Sequence, residues 1–302
     1  MKKNRLGSSD LMVSEIGFGC MTIGTEEQKG VYLIHEALEK GINFLDTADL
    51  YDSGRNEEIV GKAVRGRRQD VIIATKVGNR RIPGQEGLVW DPSKAYILEA
   101  VKESLKRLGT DYIDLYQLHG GTLDDPIDDT IEAFEQLKRE GVIRWYGISS
   151  IRPNVIREYV KRSGIVSVMN QYSLLDRRAE EEVLPLLGNE GVSLIARGPV
   201  ASGVLAERGA SKAVKGYLDY KESELLNVRE RLAAFASEER SMEQLAIRYS
   251  LAHPAVATAI PGASSPEQLQ HNVGAAAVTP LTEQEIRELR SFSKANRYTQ
   301  HR

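Results

Sequence analysis

The feature that most constrains this sequence is a regular alternation of short apolar runs with longer amphipathic stretches, from Glu15 almost to the C-terminus. Short apolar, β-branched runs are typical of buried strands, and apolar residues spaced three or four apart are typical of covering helices. The alternation indicates repeated strand–helix–strand units with parallel strands. Eight strands are predicted, over Glu15–Cys20, Asn43–Asp46, Val71–Lys76, Ile113–His119, Ile143–Ile148, Val166–Gln171, Ser193–Arg197 and Val256–Ile260.

Eight parallel strands can form either a closed barrel or an open, doubly wound sheet. A doubly wound sheet that binds a dinucleotide carries G-x-G-x-x-G after its first strand. Here Gly17 and Gly19 are followed by Thr22, and the next glycine is Gly24, so this fingerprint is missing. The 302 residues also suit an α/β barrel of about 250 residues with insertions. The sequence therefore favours an α/β fold, a (β/α)8 TIM barrel, with residues 1–302 as a single domain.

Three segments lie outside this repeat. Residues 1–14 contain two short extended pieces around the turn-like cluster Gly7–Asp10, which predicts an N-terminal β-hairpin that caps the barrel. The interval before the last strand is the longest, which places an insertion at Leu205–Lys221. Two extra C-terminal helices are predicted, over Pro266–Ala277 and Thr282–Lys294.

Composition excludes several classes of protein. Forty basic and 43 acidic residues give a net charge of -3, so no overall field attracts nucleic acid or an anionic membrane. No apolar run approaches the roughly 20 residues of a membrane span, and no apolar signal core follows the basic start, so a cytoplasmic location is expected. Cys20 is the single cysteine, which excludes an internal disulfide and any multi-cysteine metal site, and no metal is expected.

Polar residues end several predicted strands where a barrel brings its strand ends to one mouth. Asp46, Lys76 and His119 each end an apolar run, and Tyr51 follows Asp46 by five residues in the loop above the same mouth. Taken singly, each has an ordinary explanation as a helix cap, a solvated strand end, a core histidine or a surface aromatic. Three polar residues at equivalent strand ends together indicate a site.

The four residue types suit proton transfer to oxygen. A tyrosine with its ordinary pKa of about 10 is a poor acid at neutral pH, but a neighbouring ammonium favours the phenolate. Lys76 is predicted to supply that charge, and Asp46 to keep Lys76 charged and oriented. His119 is a candidate to donate to a substrate oxygen or to complete the proton path. Such a site protonates an alkoxide as it forms from a carbonyl group.

The order of these residues resembles the aldo-keto reductase family. Phe44–Tyr51 and Asn56–Gly61 are similar to its first signature, and residues 75–76 and 118–119 to its later catalytic segments. Further segments in the family's order are Gly147–Ser149, residues 170–171 and Ile260–Ser264. The resemblance implies a barrel that binds NADP(H) across its mouth. In it Tyr51 is the general acid and base, Lys76 and Asp46 tune it, and His119 orients the substrate.

The resemblance also implies the reaction and the cofactor contacts. Hydride passes between the nicotinamide and the carbonyl carbon of a small aldehyde or ketone. The partners expected are therefore this coenzyme and a small carbonyl compound, and neither nucleic acid nor a membrane. The residues implied to contact the carboxamide, the pyrophosphate and the adenosine phosphate are Ser149, Gln171, Arg197, Gly198, Pro199, Val200, Gly203, Gly262, Ser264, Gln268 and Asn272.

Two positions depart from the family's common pattern. Ser150 stands where many relatives have asparagine, and Arg197 where many place an aromatic ring against the nicotinamide. Arg197 is then either a surface strand cap or a planar guanidinium that stacks on the nicotinamide.

Two other functions compete with a reductase. Some relatives resemble regulatory partners of ion channels that bind the cofactor and catalyse weakly, but the intact set of four polar residues argues against this. A barrel aldolase would use Lys76 as a Schiff-base amine. The loops Gly78–Trp90 and Leu205–Lys221 are expected to wall the substrate pocket, with Trp90 as an apolar contact or a core aromatic.

Overall fold

A computed structural model of the protein describes residues 1–82 and 84–302. These residues contain all eight of the predicted strands, with ends shifted by a few residues, and four more short ones. The strands are β1 (Lys3–Arg5), β2 (Met12–Ser14), β3 (Phe18–Gly19), β4 (Phe44–Asp46), β5 (Ile72–Val77), β6 (Asn79–Arg80), β7 (Val89–Trp90), β8 (Ile113–Leu118), β9 (Ile143–Ser149), β10 (Ser167–Gln171), β11 (Ser193–Arg197) and β12 (Val256–Ile260).

Eight of the strands so described are parallel and close into a barrel. Their order around it is β3, β4, β5, β8, β9, β10, β11 and β12. The first and last strands meet through parallel bridges that pair Ile16 with Ala259 and Gly19 with Gly262. The Gly17 amide donates to the Ala259 carbonyl at 2.9 Å. Because both edges are paired, the sheet is the predicted (β/α)8 barrel and not the doubly wound alternative.

Helices surround the barrel. Across the described residues they are α1 (Glu27–Glu39), α2 (Arg55–Ala63), α3 (Lys94–Leu108), α4 (Ile127–Arg139), α5 (Pro153–Arg162), α6 (Val183–Asn189), α7 (Glu222–Ala233), α8 (Met242–Leu251), α9 (Pro266–Gly274) and α10 (Glu283–Ser291). Both helices expected after the last strand are present. Of these, α9 contacts α1 and α8 and so completes the ring of helices. None of the helices in the described residues 1–82 and 84–302 is long and apolar enough to cross a membrane.

The N-terminal hairpin fills one end of the barrel, as predicted. Strands β1 and β2 are antiparallel, and Leu6 and Leu11 from the loop between them are buried. Both leucines join the apolar cluster inside the barrel, which includes Phe44, Ile72 and Leu115. The opposite end, where the parallel strands finish, is therefore the open mouth.

The insertion before the last strand is longer than predicted and is not unstructured. It contains a 3₁₀ segment, Glu207–Lys215, and a bridge between Tyr217 and Tyr220. Helix α7 also belongs to the inserted chain, because α8 is the helix that packs against β12. The sequence of Leu205–Lys221 lacks apolar periodicity, so its structure could not be read from spacing.

Candidate active site

The ends of β4, β5 and β8 bring polar side chains to the mouth of the barrel. Asp46, Lys76 and His119 each lie an even number of residues after an interior side chain of their strands. Because side chains alternate along a strand, all three point inward. Tyr51 begins a 3₁₀ turn, Tyr51–Gly54, shortly after β4. Its ring lies 6.1 Å from the His119 ring, centroid to centroid, at an interplanar angle of 83°.

Lys76 is the centre of this group. Its side chain is fully buried, with 0% of its surface exposed. The Lys76 Nζ donates to Asp46 Oδ2 at 2.8 Å, to the Thr47 carbonyl at 2.7 Å and to Tyr51 Oη at 3.3 Å. An ammonium group has three hydrogens, and each has an acceptor here. The structure therefore holds Lys76 as an ammonium and joins Tyr51 to Asp46 through it.

The pKa values of this group depend on burial and on the close charges. Burial lowers the pKa of the Lys76 ammonium, but the charge of Asp46 and the hydrogen bonds to Asp46 and Tyr51 outweigh it, so the pKa is raised. Burial raises the pKa of the Tyr51 phenol, and Lys76 opposes this only in part. Lys76 thus favours the phenolate, as expected, but burial has the larger effect and the net pKa of Tyr51 is raised. Tyr51 is held as a phenol, the form that donates a proton.

His119 is a neutral ring beside Tyr51. Burial lowers the pKa of its imidazole to about 3, and repulsion by Lys76 and Arg197 adds to the effect. The backbone around it is fixed, because its amide donates to the Val77 carbonyl at 2.7 Å. Its Nδ1 is buried and has no hydrogen-bond partner in the described part of the chain. A neutral imidazole can orient an oxygen by a hydrogen bond without acting as the proton donor.

The state of His119 leads to a test by NMR titration of the histidine rings. We expect the His119 signal, assigned by its loss in His119→Gln, to stay in the neutral form between pH 5 and 8, a range in which an ordinary histidine titrates. The reason is the pKa of about 3. The exposed side chain of His301 gives a reference signal in the same spectra. Titration of His119 near the ordinary pKa of about 6.5 would contradict the neutral assignment.

The ends of β9, β10 and β11 form the other side of the mouth. Ser149, Gln171 and Arg197 are the last residues of these three neighbouring strands, and Gln171 pairs with Arg197 in register. Ser149 is buried, whereas the other two are half-buried. Arg197 is close enough for its charge to act on Tyr51 and His119. The half-buried Arg197 therefore lies near the mouth, which disfavours its interpretation as a surface strand cap.

Sequence reasoning missed residues that hold this side of the mouth. Tyr217, in the insertion, accepts a hydrogen bond from Gln171 Nε2 at 2.7 Å. Asn170 donates to the Ser150 carbonyl at 2.8 Å and accepts from the Tyr298 hydroxyl at 3.1 Å. Asn170 stands in a quoted family segment, so its position could have been suspected. No signal in the aperiodic insertion or near the C-terminus points to the two tyrosines.

The loop after β11 has an unusual backbone. Left-handed φ angles occur at Gly198 (67°), Ala201 (47°), Ser202 (55°) and Gly203 (85°). Residues other than glycine rarely adopt such angles, and the strain is commonly found at ligand-binding sites. Pro199 is buried and Val200 half-buried. Turns that combine right- and left-handed residues present successive backbone N–H groups to an anion, which suits the pyrophosphate of a dinucleotide.

The segment around the start of α9 is held by its own side chains. Gln268 Oε1 accepts from the Ser264 amide at 2.8 Å and from the Ser264 hydroxyl at 3.0 Å. Asn272 Nδ2 donates to the Gly262 carbonyl at 3.1 Å. Ser264 and Gln268 are exposed. Because a helix N-terminus favours negative charge, this polar surface fits an adenosine phosphate.

Trp90 stands over the ends of β5 and β8. A Cβ added to Gly78 would lie 2.7 Å from the Trp90 ring, and one added to Gly120 would lie 3.1 Å from it. Trp90 Nε1 donates to Asp125 Oδ1 at 2.9 Å, which fixes the ring. Trp90 packs against the core and covers the ends of β5 and β8. That Trp90 and the loop Gly78–Trp90 wall a substrate pocket stays a prediction. Pro83 of that loop lies outside the described residues.

Comparison with known proteins gives a consistent result. The model of the Aldo/keto reductase family matches residues 15–294. The oxidoreductase YqkF of Bacillus subtilis (strain 168) is 59% identical over 100% of both chains. The holo form of an aldo-keto reductase from Bacillus halodurans is 60% identical, with a TM-score of 0.95 over 100% of this chain and 99% of its own. An NADH-specific methylglyoxal reductase of Escherichia coli (strain K12) is 32% identical over 91% of this chain and 93% of its own.

Proposed function

The chain belongs to the aldo/keto reductase family, and we propose that it is an NADPH-dependent reductase of small aldehydes or ketones. When bound, the reduced nicotinamide supplies a hydride to the carbonyl carbon. Tyr51 supplies the proton that the resulting alkoxide takes up. Oxidation of the matching alcohols uses the same groups in the opposite direction.

The observation that carries this proposal is the series Asp46–Lys76–Tyr51, in which Asp46 and Lys76 are buried and Tyr51 is half-buried. Lys76 Nζ lies 3.3 Å from Tyr51 Oη and 2.8 Å from Asp46 Oδ2. An ammonium beside a phenol stabilises the phenolate that remains after the proton has left. Asp46 balances the charge of Lys76 and holds it against Tyr51. Tyr51 can therefore donate a proton to an oxygen at the mouth more readily than it could at the same buried position without Lys76.

His119 completes the proposed catalytic group. Its ring meets the Tyr51 ring edge to face at 6.1 Å. We place the carbonyl oxygen between the Tyr51 hydroxyl and the His119 ring, where a neutral imidazole donates a hydrogen bond and orients the carbonyl. Trp90 forms an apolar wall beside this position.

The coenzyme is proposed to extend from the strand ends to α9. Ser149 and Gln171 offer a hydroxyl and an amide to the carboxamide, and Arg197 lies beside the nicotinamide. The left-handed loop Gly198–Gly203 suits the pyrophosphate, with Gly198, Pro199, Val200 and Gly203 in contact. The polar start of α9 suits the adenosine phosphate, with Gly262, Ser264, Gln268 and Asn272 in contact. NADPH is the coenzyme that the family resemblance favours.

Two observations weigh against the competing functions. A Schiff-base aldolase needs Lys76 as a neutral, nucleophilic amine. A buried Lys76 with three acceptors and a raised pKa favours the ammonium instead. A regulatory subunit with weak catalysis has no need of a preorganised proton donor, and here Asp46, Lys76 and Tyr51 are already in contact.

The proposal is tested with a panel of aldehydes and ketones and with NADPH and NADH as separate coenzymes. The absorbance of the reduced nicotinamide is followed. We expect carbonyl-dependent oxidation with NADPH and slower oxidation with NADH. Oxidation only with NADH would overturn the coenzyme preference alone. Tight coenzyme binding without turnover on any carbonyl would favour the regulatory subunit.

Arg197 leads to a separate prediction about the two coenzyme forms. A guanidinium stacked on the nicotinamide offers a plane and an apolar stem, but its charge disfavours the oxidised, cationic ring. We expect Arg197→Ala to weaken binding of NADPH more than binding of NADP⁺. Arg197→Tyr restores much of the binding and removes this bias. The measurement is the dissociation constant of each coenzyme form for each variant.

A matched control separates the charge of Arg197 from its shape. Arg197→Lys keeps the charge and loses the plane, so the bias should persist with weaker binding. Equal weakening of both forms by Arg197→Ala would assign Arg197 to packing or to a phosphate contact. Unchanged binding in all three variants would mean that Arg197 is a surface strand cap and does not contact the coenzyme.

The proposal also includes two general expectations, a single domain and a cytoplasmic location. Residues 1–302 are proposed to act as one domain, which is supported by an apolar cluster that extends from Ile16 to Tyr298. A cytoplasmic location is proposed for the enzyme, as expected from the sequence.

A further inference from the structure

Thr47 supplies one of the three acceptors of the Lys76 ammonium, through its backbone carbonyl at 2.7 Å. A backbone oxygen is only as well placed as the peptide that carries it. The Thr47 amide, in the preceding peptide, donates to the Ala74 carbonyl at 2.9 Å and so ties the backbone at Thr47 to β5. The Thr47 hydroxyl is also engaged, because it donates to Asn56 Oδ1 at 2.7 Å.

Asn56 is a buried polar residue outside the proposed catalytic group. It lies in the first turn of α2, and none of its surface is exposed. Its Oδ1 accepts from Thr47, and its Nδ2 donates to the Cys20 carbonyl at 2.8 Å. One amide therefore connects the ends of β3 and β4. A buried amide with both ends satisfied is a rigid connection, because breaking either bond leaves a polar group without a partner.

The next residue of α2 makes the same kind of contact with the neighbouring strand. Glu57 is fully buried, and its Oε1 accepts from the Thr75 hydroxyl at 2.6 Å. Its Oε2 accepts from Arg107 Nε at 2.6 Å, which balances its charge. Thr75 directly precedes Lys76, and alternation sends the two side chains to opposite faces of β5. Helix α2 thus holds the outer face of the strand whose inner face carries Lys76.

We propose that Asn56, with Glu57 beside it, is a positioning residue for the Asp46–Lys76–Tyr51 series, an inference that rests on the proposed function. Asn56 fixes the Thr47 carbonyl, the carbonyl fixes the Lys76 ammonium, and the ammonium sets the acidity of Tyr51. Because the side chains of Asn56 and Glu57 are fully buried, neither is exposed to a bound substrate or coenzyme. A hydrogen bond lost here lets the ammonium shift from Tyr51, and small misplacements of reacting groups reduce rates strongly.

The hydrogen bond from the Thr47 hydroxyl to Asn56 Oδ1 is removed either by Thr47→Val or by Asn56→Ala. We expect Thr47→Val to lower kcat by about tenfold, with the carbonyl KM and the coenzyme dissociation constant nearly unchanged. The limb of the pH profile that reports Tyr51 should move to higher pH, because Lys76 no longer lowers the pKa of the phenol as effectively. Thr47→Ser keeps the hydroxyl and should restore both the rate and the profile.

A double-mutant cycle separates positioning from general stability. If Asn56 acts through Lys76, Thr47→Val and Asn56→Ala have no further effect on kcat once Lys76→Met is present. Asn43→Ala is the matched control, because Asn43 makes comparable hydrogen bonds to Ser14 and Met12 at the opposite end of the barrel. It should lower the unfolding temperature without changing the pH profile. The proposal would be overturned if Thr47→Val and Asn56→Ala lowered kcat by the same factors in the Lys76→Met background as in the parent protein.

A readout without turnover keeps the test independent of the proposed function. The ammonium signal of Lys76 in isotope-labelled protein, assigned by its absence in Lys76→Met, should be protected from exchange with water by its three hydrogen bonds. Thr47→Val should shift and broaden this signal, whereas Asn43→Ala should leave it unchanged. An unchanged signal in Thr47→Val would refute the positioning role. A changed signal in a protein that reduces no carbonyl would leave this role standing and reject the reductase.

Discussion

Tyr51→Phe is expected to lower the turnover of carbonyl reduction by at least about 10²-fold, the typical effect of losing a general acid, while NADPH binding persists. Phenylalanine keeps the ring that packs edge to face on His119 and removes only the hydroxyl. Of the three acceptors of Lys76 Nζ in the described part of the chain, that hydroxyl is the one that carries a proton it can pass to an oxygen at the mouth. Steady-state kinetics and coenzyme titration of the same preparation measure the two quantities.

Tyr159→Phe is the matched control for this substitution. The Tyr159 hydroxyl is buried on α5, away from the proposed site, and has no hydrogen-bond partner among residues 1–82 and 84–302. Its removal should leave turnover and coenzyme binding almost unchanged. Near-normal turnover in Tyr51→Phe would assign the proton to another donor. Parallel loss of turnover and NADPH binding would make Tyr51 a binding residue instead.

Lys76→Met is expected to reduce turnover by about 10²-fold as well, and also to change the shape of the pH profile. In the parent protein Lys76 opposes the effect of burial on the pKa of Tyr51. Without the ammonium the pKa of the phenol rises further, so the high-pH limb of reduction moves to higher pH. Alcohol oxidation needs the phenolate, and its rate at a given pH should fall. Rate measurements across pH in both directions test these signs.

Asp46→Asn provides the comparison for Lys76→Met. It removes the charge that holds Lys76 but leaves the ammonium beside Tyr51, so the effect should have the same direction and be smaller. Lys76→Met also leaves Asp46 buried without its partner, which should lower the free energy of unfolding. A full rate with an unchanged pH profile in Lys76→Met would place Lys76 outside the mechanism. A larger effect of Asp46→Asn on the profile would mean that Asp46 acts on Tyr51 directly.

The strands and the inward-facing side chains of the site could be predicted from the sequence. The strands follow from the alternation of apolar runs with amphipathic stretches, and the side-chain directions follow from the alternation along each strand. Apolar runs of strand length locate the strands, and their spacing locates the helices between them. Because the predicted strands end at Asp46, Lys76 and His119, the period of two predicts that these side chains face the interior. Barrel geometry then brings their ends to one mouth. No knowledge of distant contacts is needed for this step.

The rest depends on packing that local sequence does not encode. Tyr217 reaches Gln171 only because the aperiodic insertion folds back over β10. The roles of Asn56 and Thr47 arise from the way α2 packs on the strand ends, although Asn56 itself lies in a recognisable signature. The net pKa shift of Tyr51 depends on a balance between burial and the Lys76 charge, and the depth of burial is a property of the folded protein.

The central claim is that the protein moves a hydride from the coenzyme to a carbonyl carbon while Tyr51 supplies the proton. The most direct measurement uses NADPH that carries deuterium at the transferable position of its nicotinamide, an active carbonyl from the panel and analysis of the product alcohol. We predict one deuterium on the former carbonyl carbon for each coenzyme oxidised, no solvent hydrogen at that carbon, and a loss of product in Tyr51→Phe. Product without deuterium at that carbon, or coenzyme that binds and is never oxidised, would contradict the account.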